Sequence, residues 1–202
     1  MGQTSIKQIF KLYHILILII VTSTYSLAAG IHSTALASDK YGILGQKAPE
    51  IDLNTWIDGT GNKIKPLKLE QFHGKVIYMY FFQAWCPGCH SHGFPTLKAL
   101  TKKFESNPYV AFLAVQTVFE GAAFNTEDKL RENQVKYDIA IPMAHDAGDK
   151  GYRRLPETMI NYRSGGTPWS VIIDQEGTVV YNNFHIKVRQ AVSMIRQLIA
   201  SN

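Results

Sequence analysis

The feature that most constrains the fold is a run of seven apolar residues, Val76 to Phe82, which ends four residues before a cysteine. Its aromatic and β-branched residues show no polar alternation, which is typical of a strand buried on both faces. The sequence Trp85-Cys86-Pro87-Gly88-Cys89 follows. Proline is well tolerated in the first turn of a helix, where its missing N–H has no partner. The chain is therefore predicted to place two cysteines between a central strand and a helix.

The rest of the chain alternates between predicted strands and helices. Helices are predicted over Cys89–Phe104 and Thr126–Tyr137 and from Val188 onward, and strands over Val110–Val118, Ile139–Met143, Ser170–Asp174 and Thr178–Tyr181. Gly93 and Pro95 indicate a bend in the first helix, because proline cannot donate a hydrogen bond. The turn-rich segment Asp58–Asn62 indicates an N-terminal β-hairpin extension. Together these elements predict an α/β domain in which helices cover both faces of a mixed central sheet.

The first 37 residues have the composition of an export signal. Lys7 and Lys11 precede an apolar run from Leu12 to Val21, and the segment ends in Ala35-Leu36-Ala37. A basic start, a short apolar core and an A-x-A end are typical of a secretory signal peptide. The run is shorter than the roughly 20 residues that cross a bilayer, and an uncleaved anchor is the alternative. We therefore predict a signal peptide over residues 1–37, a single domain over residues 38–202 and a periplasmic or otherwise extracytoplasmic location.

The chain has two cysteines, and both lie in the motif after the apolar run. A disulfide between Cys86 and Cys89 would close a loop too short to stabilise the fold much, although an exported protein tolerates disulfides. The N-terminus of a helix favours a thiolate at Cys86. Cys89, one turn further, can attack a mixed disulfide formed at Cys86. The pair is therefore predicted to be a redox-active disulfide that needs no other cofactor.

Two kinds of binding protein use the same residue types. Cys86 to His90 also fits the C-x-x-C-H pattern of c-type haem attachment, but a haem cavity is lined by helices, whereas this motif follows a predicted buried strand. A zinc site could recruit His90 and His92, yet no second pair of cysteines exists. Neither haem nor a metal is expected at the motif, and a metal- or haem-handling protein is kept as an alternative function.

The formal net charge of +5 indicates no particular partner. Lys7 and Lys11 account for two of the five charges, and residues 1–37 contain no acidic residue, so the predicted mature chain carries +3. No run of lysine and arginine forms a basic stripe. A nucleic-acid partner is therefore not expected.

A second motif, Gly165-Gly166-Thr167-Pro168-Trp169, lies directly before the last predicted hairpin. Two glycines followed by a proline at the start of a strand indicate a tight loop. The Thr167–Pro168 bond is a candidate for the cis form, which is the minority isomer before proline.

Together the two motifs resemble the thioredoxin superfamily, in particular its exported TlpA/ResA-like branch of redoxins. The likeness runs from about Gly45 to Ala200 and also includes Gly45–Pro49, Phe72–Lys75 and Val171–Gly177. The resemblance implies a thioredoxin-like fold, an exposed attacking Cys86 and a buried resolving Cys89. It also implies that Trp85 shields the motif and that the Thr167-Pro168 loop aligns a substrate chain beside it.

The chain departs from this family at the positions that carry protons. Thioredoxin has a buried acid six residues before its first cysteine, and Tyr80 stands there. The acid that several ResA-like proteins carry after the second cysteine is replaced by His92, or by Gly93 if the alignment shifts by one. Imidazole as a chemical group titrates near neutral pH, so His90 and His92 are candidate proton-transfer groups. The alternative is that both are solvated histidines of the first helical turn.

The sequence therefore predicts an exported thiol–disulfide oxidoreductase that acts on cysteine-containing proteins and receives electrons from a membrane or periplasmic thiol donor. The resemblance favours reduction over oxidation, for instance in cytochrome c maturation, and a monomer is expected. A thiol peroxidase is the alternative, because peroxiredoxins share the Ala-Pro lead-in and the sheet, although Gln83 stands where they usually carry Thr. Residues 151–162 are predicted to form a surface loop before Thr167.

Overall fold

Seven strands form one mixed sheet in the computed structural model, which describes residues 40–148 and 155–201. The strands are β1 (Thr55–Ile57), β2 (Lys63–Ile64), β3 (Val76–Phe82), β4 (Val110–Thr117), β5 (Met143–Asp146), β6 (Trp169–Ile173) and β7 (Val179–Phe184). Their order across the sheet is β2-β1-β5-β4-β3-β6-β7. Strand β4 is parallel to β3 and β5, and the other neighbouring pairs are antiparallel. The predicted mixed sheet and N-terminal hairpin are confirmed.

The described residues also form four α-helices and several shorter turns. The α-helices are α1 (Phe94–Lys103), α2 (Asp128–Tyr137), α3 (Glu157–Asn161) and α4 (Val188–Ala200). A π-helical turn, Cys89–Gly93, precedes α1, and 3₁₀ turns span Leu69–Phe72 and Ala122–Phe124.

Strand β3 lies in the middle of the sheet and is buried along its whole length. Side chains alternate across a strand, so its even-numbered residues, including Tyr80 and Phe82, pack with buried residues of α1, α2 and α4. The odd-numbered residues, including Met79 and Phe81, pack with the first 3₁₀ turn and Tyr162. Burying each of these large side chains stabilises the fold by about 1.5–3 kcal/mol. The apolar run thus forms the shared centre of two cores.

The helix after the cysteines differs from the continuous one predicted over Cys89–Phe104. The N–H of Phe94 bonds to the carbonyl of Cys89, five residues back, which makes the first turn π-helical. The regular helix α1 then begins at Phe94, with Pro95 in its first turn. A π turn inserts one extra residue into a helix and is frequent at functional sites. The predicted bend at Gly93 therefore takes the form of this turn.

The strand predicted over Ile139–Met143 is wrong, because β5 begins only at Met143. Ile139 and Ile141 are nevertheless 3% and 6% exposed. They reach the core from the loop after α2, where the Gln134 amide donates to the Ile141 carbonyl at 2.8 Å. Hydrophobic pattern alone cannot separate such a buried loop from a strand.

The lead-in segment, Gly45–Ala48, pairs with the start of β7 and the turn before it. The N–H of Gly45 donates to the carbonyl of Val179 at 2.8 Å, and the N–H of Val179 donates to Gln46 at 2.9 Å. An isolated antiparallel bridge pairs Lys47 with Thr178. The opposite edge of the sheet is β2, which is two residues long.

The predicted signal segment, residues 1–37, lies outside the described residues, as does the first part of the predicted loop over residues 151–162. From Pro156 onward that loop instead contains α3, so the prediction of an irregular loop is wrong there. The carboxylate of Asp146 accepts hydrogen bonds from the N–H and the hydroxyl of Thr158 at 2.7 and 2.6 Å. These bonds tie the start of α3 to the end of β5. Over residues 40–148 and 155–201, no helix is long and apolar enough to cross a bilayer.

Candidate active site

Cys86 and Cys89 lie where β3 ends and the π turn begins, and both are free thiols. The N–H of Cys89 donates to Cys86 Sγ at 3.2 Å. Cys89 is fully buried, and Cys86 is 7% exposed. The sequence led us to expect an exposed Cys86, but the Thr167 carbonyl lies 3.6 Å from its sulfur and covers it. Of the two cysteines, only Cys86 has accessible surface.

The surroundings of the two thiols shift their pKa values in opposite directions. Hydrogen bonding from the Cys89 thiol, then from the Thr167 side chain and the backbone N–H groups of Cys89 and Gly88, lowers the pKa of Cys86 from 9.0 to about 6, against the effect of burial. Burial and then the hydrogen bond to Cys86 raise the pKa of Cys89. The unpaired N–H groups at a helix start favour a thiolate in the same way. Cys86 is therefore the thiol of the pair that ionises more readily near neutral pH.

The Thr167-Pro168 loop faces the cysteine motif, and its peptide bond is cis, as predicted. A Cβ atom on Gly88 would lie 3.2 Å from Pro168 Cδ, a contact closer than side chains usually make. The N–H of His185 donates to the Pro168 carbonyl at 3.3 Å, which fixes the loop from its other side. The fold thus brings together two motifs that are about 80 residues apart in sequence.

Trp85 forms one side of the site, and 44% of it is exposed. Its indole Nε1 would lie 3.0 Å from a Cβ on Gly121, a residue with φ of 61° in the loop after β4. Phe124 follows in the same 3₁₀ turn and is 67% exposed. Sequence reasoning missed Phe124, since nothing but the fold brings that loop beside Trp85. The exposed ring of Trp85 gives the site an apolar rim.

Asn125 holds the turn before Cys86, and sequence reasoning missed it too. Its side-chain oxygen accepts the N–H of Ala84 at 2.6 Å. Its side-chain nitrogen donates to the carbonyls of Glu120 and Gly121 at 3.1 and 3.0 Å. Asn125 is 2% exposed, so these bonds form where little water competes with them. The side chain fastens the cysteine turn to the loop that carries Phe124.

His90, a predicted proton-transfer residue, is half-buried and its two ring nitrogens have partners. Nε2 lies 2.5 Å from the Ala84 carbonyl, and Nδ1 lies 2.6 Å from the Tyr137 hydroxyl. A carbonyl only accepts, so Nε2 carries a proton and donates it to Ala84, while Nδ1 and the Tyr137 hydroxyl share the second hydrogen bond. The ring also stacks on Phe94 with centroids 5.7 Å apart. His90 thus connects the cysteine turn with α2.

His92, the second predicted proton-transfer residue, is exposed on the π turn. Its Nδ1 is hydrogen-bonded to Ser91 Oγ at 2.7 Å, and its ring meets that of His185 with centroids 5.3 Å apart. Within the described ranges, no hydrogen bond joins either His90 or His92 to a cysteine side chain. The expectation of two solvated first-turn histidines fits His92 and does not fit His90.

Among the residues that the structure describes, no three His, Cys, Asp or Glu side chains converge so that they could hold a metal ion. Gln83, at the position where peroxiredoxins usually carry Thr, is fully buried, and its side-chain amide has no hydrogen-bond partner. Its carbonyl accepts the N–H of Cys86 at 3.2 Å.

A C-x-x-C pair at the start of a helix, facing a cis-proline loop beside the central strand of a mixed sheet, defines the class of thioredoxin-like redoxins. Comparison with known proteins agrees: the profile of the AhpC/TSA family matches residues 44–182. The chain belongs to the AhpC/TSA family, and within it to the TlpA/ResA-like redoxins.

The sequence identity between this chain and individual relatives is low. The thiol-disulfide oxidoreductase ResA of Bacillus cereus is 27% identical over 137 residues, which are 68% of this chain and 67% of ResA. A thioredoxin-like superfamily protein of known crystal structure is 32% identical, with a TM-score of 0.64 over 76% of this chain and 96% of that protein. A thiol-disulfide isomerase from Corynebacterium glutamicum is 26% identical, with a TM-score of 0.66 over 77% of this chain and 98% of the isomerase.

Proposed function

We propose that this thiol–disulfide oxidoreductase is exported and reduces disulfides of extracytoplasmic proteins through Cys86 and Cys89. The observation that carries the proposal is the arrangement around the Cys86 sulfur. A helix-start N–H donates to it at 3.2 Å, and the Thr167 carbonyl of the cis-proline loop lies 3.6 Å away. The relatives named as a thiol-disulfide oxidoreductase and a thiol-disulfide isomerase support the same activity.

In the first step, the Cys86 thiolate attacks one sulfur of a substrate disulfide. The Cys86–substrate bond forms, the substrate disulfide breaks, and the other substrate sulfur leaves as a thiolate that takes up a proton. In the second step, Cys89 loses its proton and attacks Cys86 Sγ. The Cys86–Cys89 disulfide forms and the second substrate sulfur leaves as a thiolate, which is then protonated. The substrate gains two electrons and two protons, and a thiol donor restores the dithiol.

The substrate chain would lie between Trp85 and the Thr167-Pro168 loop. The exposed ring of Trp85 offers an apolar contact. The backbone of Thr167 is at the Cys86 sulfur, which is where the chain on either side of a substrate cysteine must pass. Trp85, Thr167 and Pro168 are therefore the proposed substrate-binding residues, with cysteine-containing polypeptides as the substrates.

Reduction rather than oxidation is supported by the extent to which the Cys86 pKa is lowered. The reactive cysteine has a pKa of about 7 in thioredoxin and about 3.5 in the oxidant DsbA, because a stabilised thiolate makes the disulfide oxidising. A pKa of about 6 for Cys86 is nearer to the reductant. Apocytochromes c carry C-x-x-C-H cysteines that must be reduced before haem attachment, and they are one substrate class to test.

Export is proposed from residues 1–37, whose pattern is that of a secretory signal peptide. The mature protein is proposed to act as a monomer that meets its thiol donor in the periplasm or at the membrane. Cell fractionation and N-terminal sequencing test this: a periplasmic product beginning at Ser38 is expected. A membrane-bound product with an intact N-terminus would show that residues 1–37 are an uncleaved anchor and not a cleaved signal. A cytoplasmic product would overturn the proposal of export.

The activity is tested by disulfide reduction and by trapping. We expect the wild-type protein to catalyse insulin reduction by dithiothreitol, and the Cys86→Ser variant to be inactive. Cys89→Ser is expected to accumulate a mixed disulfide, because its first step proceeds and its second cannot. A wild-type protein that reduces no disulfide, together with a Cys89→Ser variant that traps no substrate, would overturn the proposal.

Three further measurements separate the alternatives. The potential of the Cys86–Cys89 couple is expected near that of thioredoxin, about −270 mV, and a value near about −120 mV would make the protein an oxidant. Hydrogen peroxide consumption at a rate above that of disulfide reduction would favour a thiol peroxidase. Stoichiometric metal or haem in the purified protein would favour a binding function.

A further inference from the structure

The side chain of Tyr80 reaches from β3 to the buried cysteine. Tyr80 is fully buried, and its hydroxyl donates to the Cys89 carbonyl at 3.3 Å. Its ring is fixed by stacking on Phe82, with centroids 5.8 Å apart, and by an edge contact with Phe94 at 5.3 Å. The hydroxyl therefore has a defined position beneath the π turn that starts at Cys89.

Gly93 makes room for this hydroxyl. A Cβ atom built on Gly93 would overlap the Tyr80 oxygen and ring. Gly93 has φ of −63° and ψ of −59°, a conformation that any residue adopts, so its backbone does not require glycine. The space does. The π turn and Gly93 together place the Tyr80 hydroxyl against the helix backbone beside Cys89.

The charge state of the two side chains follows from their burial. Burial raises the pKa of Tyr80 well above its ordinary value of 10.0, so Tyr80 is a neutral O–H donor at physiological pH and cannot act as a base. Burial also raises the pKa of Cys89, whereas the hydrogen bond from the Tyr80 side chain lowers it. Cys86 and Tyr80 are the titratable groups that act on Cys89.

We propose that the Tyr80 hydroxyl is the hydrogen-bond donor that stabilises the Cys89 thiolate, and that Gly93 exists in the sequence to admit it. The inference rests on the proposed thiol exchange, in which Cys89 must become a thiolate inside the core. A shift of the hydroxyl from the Cys89 carbonyl to the Cys89 sulfur supplies that donor. The proton of Cys89 itself leaves to the substrate thiolate released in the first step or to solvent, since a neutral phenol accepts none.

The first test measures the Cys89 thiolate without requiring any enzymatic activity. In a Cys86→Ser background, the rate at which Cys89 reacts with methyl methanethiosulfonate reports its thiolate fraction at each pH. Tyr80→Phe is expected to lower this rate roughly ten-fold at a given pH, the effect of one hydrogen bond to a charged group. Tyr78→Phe is the matched control, because Tyr78 is also buried on β3 and its hydroxyl bonds to Ser170 at 3.0 Å, away from Cys89. We expect Tyr78→Phe to leave the rate unchanged.

The second test uses the protein with both cysteines. Tyr80→Phe is expected to slow the resolution of a preformed Cys86 mixed disulfide and to leave the rate of its formation unchanged. If Tyr80→Phe does not fold, 3-fluorotyrosine at position 80 keeps the size of the ring and strengthens the donor, and should raise both the Cys89 thiolate fraction and the resolution rate. Equal Cys89 reactivity in the Tyr80→Phe and Tyr78→Phe variants, or in the fluorotyrosine and wild-type proteins, would overturn the inference. A wild-type protein that exchanges no disulfide would overturn the proposed function alone, because the Cys89 measurement still decides the role of Tyr80.

Discussion

The side-chain oxygen of Asn125 accepts the backbone N–H of Ala84 at 2.6 Å, across 41 residues of sequence. Ala84 begins the turn that leads into Cys86, so an asparagine from the loop after β4 sets where the reactive sulfur lies. The side-chain nitrogen of Asn125 donates hydrogen bonds to two carbonyls of its own loop. One buried side chain therefore couples the cysteine turn to the loop after β4.

Asn125→Ala is expected to destabilise the protein by about 2–4 kcal/mol, because three hydrogen bonds are lost and the Ala84 N–H is left without its partner. The Cys86 pKa should move upward as the turn loosens. Urea denaturation and the pH dependence of Cys86 alkylation measure these effects. Asn133→Ala is the control, since Asn133 is also buried but makes a single bond, to the Lys129 carbonyl at 2.7 Å. An Asn125→Ala variant no less stable than Asn133→Ala would contradict this account.

The low Cys86 pKa depends first on the Cys89 side chain, and two variants separate that contribution. Cys89→Ser keeps a donor, and its Cys86 pKa should stay near 6. Cys89→Ala removes the donor, and the pKa should rise toward 9.0. Because the pKa is lowered, the thiolate is present above that value, and attack by Cys86 slows as the pH falls through it. Thiolate absorbance and alkylation rates against pH measure both pKa values, and the same pKa in the two variants would rule out the Cys89 donor.

His90 is expected to stabilise the fold around the cysteine turn and not to transfer protons, because each of its ring nitrogens has a hydrogen-bond partner. His90→Ala should lower the free energy of unfolding by about 1–3 kcal/mol, whereas the exposed His92→Ala should change it by less than about 0.5 kcal/mol. Tyr137→Phe, which keeps the ring stacked on Phe94 and removes the hydroxyl, should fall between them. The rate of mixed-disulfide resolution against pH checks the alternative. An inflection in this pH profile that disappears in His90→Ala or His92→Ala would make that residue a proton-transfer group.

Gly93→Ala is expected to destabilise the protein by about 1–3 kcal/mol, the usual cost of overpacking a core. Alanine otherwise stabilises a helix relative to glycine by up to about 1 kcal/mol, so the sign of the effect identifies the contact with Tyr80. Thermal and urea denaturation measure it, and Ser91→Ala, on an exposed part of the same turn, should be nearly neutral. Combined with Tyr80→Phe, the substitution should cost less than the sum of the two changes, since part of the overlap is gone. A stabilised Gly93→Ala protein would show that the space is not needed.

The parts of the fold that the sequence predicts are those with a strong local pattern. Seven consecutive apolar residues identify β3, and the Gly-Gly-Thr-Pro sequence identifies the cis-proline loop. Each of these signals is contained within a few consecutive residues. The two cysteines needed no structure to be found, because their spacing and the helix that follows are local as well.

The parts that the sequence does not predict depend on contacts between distant segments. The bonds from Asn125 to Ala84 and from Tyr137 to His90 span 41 and 47 residues, and a single sequence carries no signal for either pair. The π turn was visible only as an irregularity at Gly93 and Pro95, and the Tyr80 hydroxyl that fills the space beside Gly93 comes from another element. Ile139 and Ile141 mimic a strand because a loop can be buried when a side chain such as Gln134 bonds its backbone.

The lead-in segment that pairs with the start of β7 also bears on whether copies of the protein aggregate. An uncovered strand edge offers N–H and C=O groups on which another polypeptide can add, and proteins shorten or cover such edges. Here one edge is a strand of two residues, and at the other Gly45, Gln46 and Lys47 pair with Thr178 and with Val179, the first residue of β7. A protein shortened to begin at Pro49 would keep both cysteines but would leave β7 open to edge-to-edge aggregation. These few residues at the start of the domain are thus expected to protect the protein from aggregation.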